Sequence, residues 1–287
     1  MAQSPTHKFG QIIGDLLEES VGPSLEAIAK THGVFLDHKH ARPARQGRKN
    51  VSWIDAEGNA HDLDYVMEEG GTKESQGKPR AFIETAWRRY TKHSRNKVQE
   101  IQGAVLALAQ TYADCQPFLG VILAGVFTEA SLAQLRTNGF QVVYFPYKTI
   151  IKAFARVGID ARFDESTPDE VVQQKVDAFD QLDARKRGTI RKALLKDVLP
   201  EFDLFLVALA GALARTIEDV YVRVLHGKTE VLKTAAAAIA FLQDYAERDA
   251  SLPFARYEVG VRYSNGNDVK GTFGDKASAI AFLKKLT

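Results

Sequence analysis

Cysteine is nearly absent from this chain of 287 residues: Cys115 stands alone. A single thiol excludes an intrachain disulfide and a cysteine-built zinc site, and it fits a reducing, cytoplasmic setting. Long apolar runs are also missing. The longest candidate, Phe202 to Ala214, is interrupted by Asp203 and too short for a bilayer, so it is read as a buried helix and no membrane association is expected. The N-terminal MAQSPTHKFG carries no signal-peptide pattern. Charge of one sign is scarce, and a net charge of +2 is too small to diagnose nucleic-acid binding unless the bases cluster. Glycine-rich phosphate loops, GxGxxG, HExxH and GxSxG are lacking, which weighs against nucleotide hydrolases, dinucleotide enzymes, zinc peptidases and serine hydrolases.

What is present is a globular balance, 45% apolar and 26% charged, with length for a core domain and a smaller appendage. Phe9 to His32 has helical apolar spacing, and Pro23 predicts a break between two helices. From Gly33 the pattern shortens to extended pieces: Val51 to Asp55, Leu63 to Glu68 and Ala81 to Trp87, an antiparallel meander. Ser94 is a candidate N-cap for a helix from Arg95 to Tyr112. Phe118 to Val126 reads as a buried strand, Ser131 to Asn138 as a short helix, Phe140 to Phe145 as another strand and Tyr147 to Val157 as a helix. The order predicts an α/β core whose later strands join through helical crossovers.

Thr167 to Thr216 reads as a helical connector that Pro200 splits in two. Beyond it lies a weak internal repeat. VYVRVLHGKTEVLKTAAAAIAFLQDY from Val220 and YEVGVRYSNGNDVKGTFGDKASAIAFLKKL from Tyr257 each read as hairpin then helix, with turns at His226-Gly227-Lys228 and Asn265-Gly266-Asn267. The expected domains are therefore 1–160, 161–216 and 217–287, the last a duplicated ββα module with a four-stranded sheet.

Two acids carry the chemical interest. Asp64 lies within alternating Leu63, Tyr65 and Met67, and Glu84 ends the apolar run Ala81, Phe82, Ile83. Carboxylates on half-buried neighbouring strands need a partner, and Mg²⁺ takes one or two carboxylates together with water and phosphate oxygens.

Asp64, a strand and loop, then Glu84-Thr85-Ala86 and a helix resemble the PD-(D/E)XK nuclease superfamily, over roughly Phe9 to Val157. The resemblance implies a restriction endonuclease-like mixed sheet flanked by helices, with Asp64 and Glu84 holding Mg²⁺, for which Mn²⁺ would substitute. It also implies a lysine two residues after the glutamate and an accessory glutamate on the first helix. Two positions depart from the pattern: Leu63 stands where the family often has proline, and Ala86 stands where the lysine belongs. Alanine can neither donate a hydrogen bond nor stabilise a developing negative charge. Lys97 is the preferred replacement, ahead of Lys92 and Arg88, and Glu100 one turn on could support it. Glu18 is preferred over Glu19 as the accessory acid. The histidines His61 and His93 are given no role.

Basic residues gather twice. Lys39, His40, Arg42, Arg45, Arg48 and Lys49 form a loop before the first strand of the meander, and Arg42, Arg45, Arg48 and Lys49 are its expected DNA-backbone contacts. Arg185, Lys186, Arg187, Arg191, Lys192 and Lys196 lie on the expected helical connector, where a solvated face is an equal reading. The resemblance thus implies a Mg²⁺-dependent endonuclease acting on double-stranded DNA, and two strand cuts would suit a homodimer. The rival expectations are a nuclease fold that binds DNA without turnover, as Ala86 allows, and an interaction protein docking through the repeat module.

Overall fold

The computed structural model describes residues 4–225, 229–247 and 254–286. Its contacts divide the chain into two units, Met1–Tyr112 with Pro117–Ala210, and Ala113–Gln116 with Gly211–Thr287.

The first unit opens with helix α1 (Pro5–Thr31), started by Ser4, whose hydroxyl accepts the His7 N–H. Pro23 does not break it, contrary to expectation. Proline forfeits one intrahelical bond, but Val21 and Leu25 on either side continue the buried stripe of Phe9, Ile13 and Leu17, so packing holds the helix together. Strand β1 (Phe35–His38) follows, then the hairpin β2 (Val51–Ile54) and β3 (Ala60–Leu63), which forms its own two-stranded sheet. Next come β4 (Tyr65–Glu69), β5 (Lys78–Arg88), helix α2 (Thr91–Thr111), β6 (Phe118–Gly125), helix α3 (Glu129–Thr137), β7 (Gln141–Pro146) and helix α4 (Tyr147–Ala155).

The main sheet has the order β1-β4-β5-β6-β7. Pairing is antiparallel from β1 to β5 and parallel from β5 to β7. The fold is therefore α/β, a mixed sheet flanked by helices. Val98, Ile101, Val105 and Leu108 of α2 pack with Leu132 and Leu135 of α3 against Phe82, Val121 and Leu123 of the sheet. The β2–β3 hairpin joins this core through Val51, Trp53 and Leu63. On α1, Phe9 meets Phe154 of α4 edge to face. The expected single strand from Leu63 to Glu68 is divided at Asp64, and β1, whose four residues FLDH carry little pattern, was not foreseen.

Helices α5 (Asp169–Asp180) and α6 (Ala184–Leu213) follow, and both group with the first unit as far as Ala210. The chain breaks between them at 181–183, whereas Pro200 sits inside α6, again between buried residues, Val198 and Phe202. Phe205 of α6 lies edge to face on Phe118 of β6, at the place where Gly120 leaves room for its ring.

The second unit runs β8 (Ile217–Val224), β9 (Thr229–Leu232), helix α7 (Ala235–Asp244), β10 (Tyr257–Tyr263), β11 (Asp268–Phe273) and helix α8 (Lys276–Lys285). Its antiparallel sheet has the order β11-β10-β8-β9. Val220, Val222, Val259 and Val261 form one core with Ala238 and Leu242 of α7 and Ala279 and Leu283 of α8. Gly266, at φ +85°, makes the β10–β11 turn, a conformation its neighbours' side chains would resist. The expected turn at His226-Gly227-Lys228 lies outside the described residues.

Candidate functional site: an acidic cleft at the parting of two strands

Strand β4 pairs with β5 as far as Tyr65 opposite Ile83, then the chain turns away. Asp64 is the one residue between β3 of the small sheet and β4 of the large one. Glu84 is the next residue along β5, which still pairs with β6 there. Alternation sends Glu84 to the face of Phe82 and Ala86, towards α2, and Thr85 to the opposite face, towards α1. Side chains from both faces of the sheet can meet Asp64 here because no strand covers the gap.

Thr85 fastens the arrangement. Its backbone N–H and its hydroxyl both donate to Asp64 Oδ2, each at 2.7 Å, and the hydroxyl lies 3.5 Å from Glu18 Oε1 on α1. Glu84 is only 7% exposed, and its Oε1 is buried without a hydrogen-bond partner. Burial, and after it the Asp64 charge, pushes its pKa well above the ordinary glutamate value, while Lys97 pulls it down. Burial, then Asp64 and Asp15, raises Glu18 to about 7, with Lys39 and Thr85 opposing. Three carboxyl groups therefore share one electrostatic environment.

Lys97 reaches the group, as expected. Its Nζ is 3.9 Å from Glu84 Oε2 and 2.8 Å from Glu100 Oε1. The route differs from the expected one: α2 begins at Thr91, not after Ser94, and Ser94 is a buried residue whose hydroxyl donates to the Thr91 carbonyl. Lys97 thus sits in the second turn and points back along α2 towards β5. Arg88 and Ala86 also line the cleft, which has a volume of about 870 Å³; Lys92 does not. Glu19 faces elsewhere and pairs with Arg191 at 3.2 Å, which leaves Glu18 as the helix acid of the site. His61 is engaged by Asp55 at 2.8 Å, and His93 stands on the cleft wall.

The first basic cluster requires a correction. Arg42 is fully buried and Arg45 nearly so, hence neither can contact a DNA backbone. The Arg42 guanidinium forms a fork with Glu68, Nη1 to Oε1 at 2.6 Å and Nη2 to Oε2 at 3.0 Å, and also bonds Asp37 at 2.6 Å and the Thr72 and Ser75 carbonyls. Arg45 adds a bond to Asp37 at 3.0 Å. These arginines tie the loop to β1 and β4. Arg48 and Lys49 remain exposed, and Lys39 of the same loop is on the cleft wall. Lys39, Thr85 and Asp15 are among the cleft residues to which the sequence alone assigns no part in the site. In the sequence Lys39 is one base among six, and Thr85 is simply the neighbour of Glu84.

Among the described residues, no three or more His, Cys, Asp or Glu side chains form a group that could hold a metal ion. A cation held by one or two carboxylates and water needs no such group. Asp64 and Glu84 fit such a pair, since one buried oxygen of Glu84 lacks a partner. No helix among the described residues is long and apolar enough to cross a membrane.

No protein-family profile matches the chain, and no curated protein does. A solved structure titled "Crystal Structure of Protein of Unknown Function AF1548" aligns with 67% of this chain and 99% of its own at 12% identity, with a TM-score of 0.29, too low to support any argument.

Proposed function

We propose that this protein is a Mg²⁺-dependent endodeoxyribonuclease built on a PD-(D/E)XK, restriction endonuclease-like core, with Mn²⁺ able to replace Mg²⁺. The observation that carries the reading is the meeting of Asp64, Glu84, Glu18 and Lys97 in one cleft where β4 leaves β5, with a buried Glu84 oxygen unanswered. Asp64 and Glu84 would hold the ion, which when bound lowers the pKa of water and offsets charge on the scissile phosphate. Thr85 aims Asp64 Oδ2 by two donated hydrogen bonds. Lys97 supplies from α2 the cation that Ala86 cannot supply from the strand, and Glu100 steadies its ammonium group. Glu18, with a pKa of about 7, can take up or release a proton near neutral pH and so serve the attacking water. Lys39, Arg48 and Lys49, all exposed, would contact the DNA backbone in place of Arg42 and Arg45. Duplex cleavage by a homodimer, and a C-terminal unit read as two ββα repeats without chemistry of its own, complete the proposal.

The test is cleavage of plasmid DNA by purified protein. Nicking and linearisation that require Mg²⁺ or Mn²⁺ and vanish in Asp64→Ala and Glu84→Ala would support the enzyme. Ala86 keeps a second reading in play, a nuclease fold that binds DNA without cutting it, and DNA binding with no cleavage in either metal would favour that one.

A further inference from the structure

The second basic cluster does not act as a unit. Arg187 donates to the Leu182 and Asp180 carbonyls and covers the Phe179 ring, and Arg191 pairs with Glu19, so both guanidinium groups are taken up by the fold. Lys192 and Lys196, one turn apart on α6, instead face α4, where they line a cleft of about 700 Å³ with Lys152 and Arg156. Lys152 and Arg156 are likewise four apart on the neighbouring helical segment, so two short rows of cations oppose each other across the cleft. The only carboxylate in its lining is Asp197, which pairs with Lys152 at 3.3 Å. Nothing in the sequence brought Lys152 or Arg156 into the cluster; the packing of α4 beside α6 does.

Like charges gathered on one surface cost free energy unless something of opposite charge covers them. From this we infer that the α4–α6 cleft is a second contact surface for the phosphate backbone of duplex DNA, separate from the acidic cleft. This rests on the reading of the protein as a DNA-acting one. A duplex suits the surface better than a small phosphorylated ligand does. All four cations are exposed, with Lys152 at 67%, and the floor is formed by Ala153 and Ala193, with no buried donor to orient a single phosphate. Such a surface adds salt-dependent affinity without sequence preference. The position fits as well. Helix α6 meets α1 through Arg191 and Glu19, the residue beside Glu18, and meets α4 through Asp197 and Lys152, so the basic cleft belongs to the helical layer that carries the acid of the candidate site.

The experiment is fluorescence anisotropy of a labelled 30-base-pair duplex between about 50 and 200 mM NaCl, with Ca²⁺ in place of Mg²⁺, on the full chain. The double reversal Lys192→Glu with Lys196→Glu is expected to weaken binding about tenfold or more and to make the salt dependence shallower by about two ion equivalents. Arg156→Glu alone should give a smaller loss in the same direction. Lys233→Glu, an exposed position in the second unit, should leave binding unchanged. Unaltered affinity and salt slope in a double variant that melts like the parent would overturn the proposal. So would an equal loss in Lys233→Glu, which would make the effect one of net charge, or displacement of the duplex by micromolar ATP, which would make the cleft a small-ligand site. Parallel cleavage assays in Mg²⁺ separate the two ideas. Duplex binding that falls with the reversal in a protein that never cuts leaves this surface standing and removes the nuclease; cutting and binding untouched by the reversal do the opposite.

Discussion

Acids gather in two places, buried around Arg42 and buried or half-buried in the cleft, and they are treated in opposite ways. Around Arg42, the carboxylates of Asp37 and Glu68 meet two arginines, and the guanidinium of Arg42 makes contacts with both acids and with two carbonyls. Charge cancels within the group. In the cleft, Lys97 lies near Glu84 but is shared with Glu100, Lys39 acts on Glu18 from the wall, and among the described residues no guanidinium fork holds any of the three acids Glu18, Asp64 and Glu84. Burial first, and the neighbouring Asp64 charge after it, make two of the carboxyls, Glu18 and Glu84, hold their protons to higher pH. Compensated burial is what a fold does with charge for its own sake. Uncompensated burial costs stability and marks the place where a cation from outside would be welcome.

The largest expected effect breaks the compensated side. Arg42→Met leaves Asp37 and Glu68 buried without their main counter-charge and should lower stability by about 3–5 kcal/mol in urea titration. A loss below about 1 kcal/mol would mean that the two acids are not stabilised by this arginine.

On the other side, Mg²⁺ at a hundred times its dissociation constant should stabilise the folded protein by about 2.7 kcal/mol, seen as a rise in Tm. Glu84→Gln should abolish that rise while leaving the metal-free protein as stable as the parent or more so, because a neutral amide avoids the cost of burying a charge and, after it, the repulsion with Asp64.

Acid titration sharpens the contrast further. Glu18 has a folded pKa of about 7 against an ordinary 4.5, so the folded state binds more protons than the unfolded chain in that interval. Stability should therefore fall as pH rises from about 4.5 to 7, by about 1–2 kcal/mol, and Glu18→Gln should flatten this part of the curve. An unchanged slope in the variant would show that Glu18 is not the titrating group.

The smallest effect belongs to the outer pair. Glu100→Gln removes an exposed partner of Lys97 and should cost less than about 1 kcal/mol of stability. Its expected consequence is on turnover: plasmid cleavage should slow, since the ammonium group is no longer steadied on the Glu84 side.

The strand bearing Glu84 and the extended pieces flanking Asp64 were legible because alternation and an apolar run are local signals, and so were the α/β order from Phe118 to Ala155 and the reach of Lys97. What failed to show in the sequence depends on partners far along the chain. Arg42 looks like a solvated base in a loop with Pro43 and Gly47, and only the fold brings Glu68, 26 residues on, against it. Pro23 and Pro200 look like breaks, and the buried faces that outweigh them appear only when the helices have something to pack on. Thr85 is a residue of ordinary strand type, and nothing local says that its amide and hydroxyl both serve the same acid. The division of a strand at Asp64 was hidden for a related reason. Leu63 and Tyr65 are both buried, so the alternation runs through the junction without interruption.

That junction has a mechanical consequence. On the β4 side a single residue links the hairpin to the large sheet, so tilt of one against the other bears directly on the torsions of Asp64. Trp53, wedged edge-on between Phe82 and Tyr112, keeps the hairpin from swinging. Shortening that indole would loosen a wall of the core, and the first atoms to register the slack would be the carboxylate oxygens at the hinge.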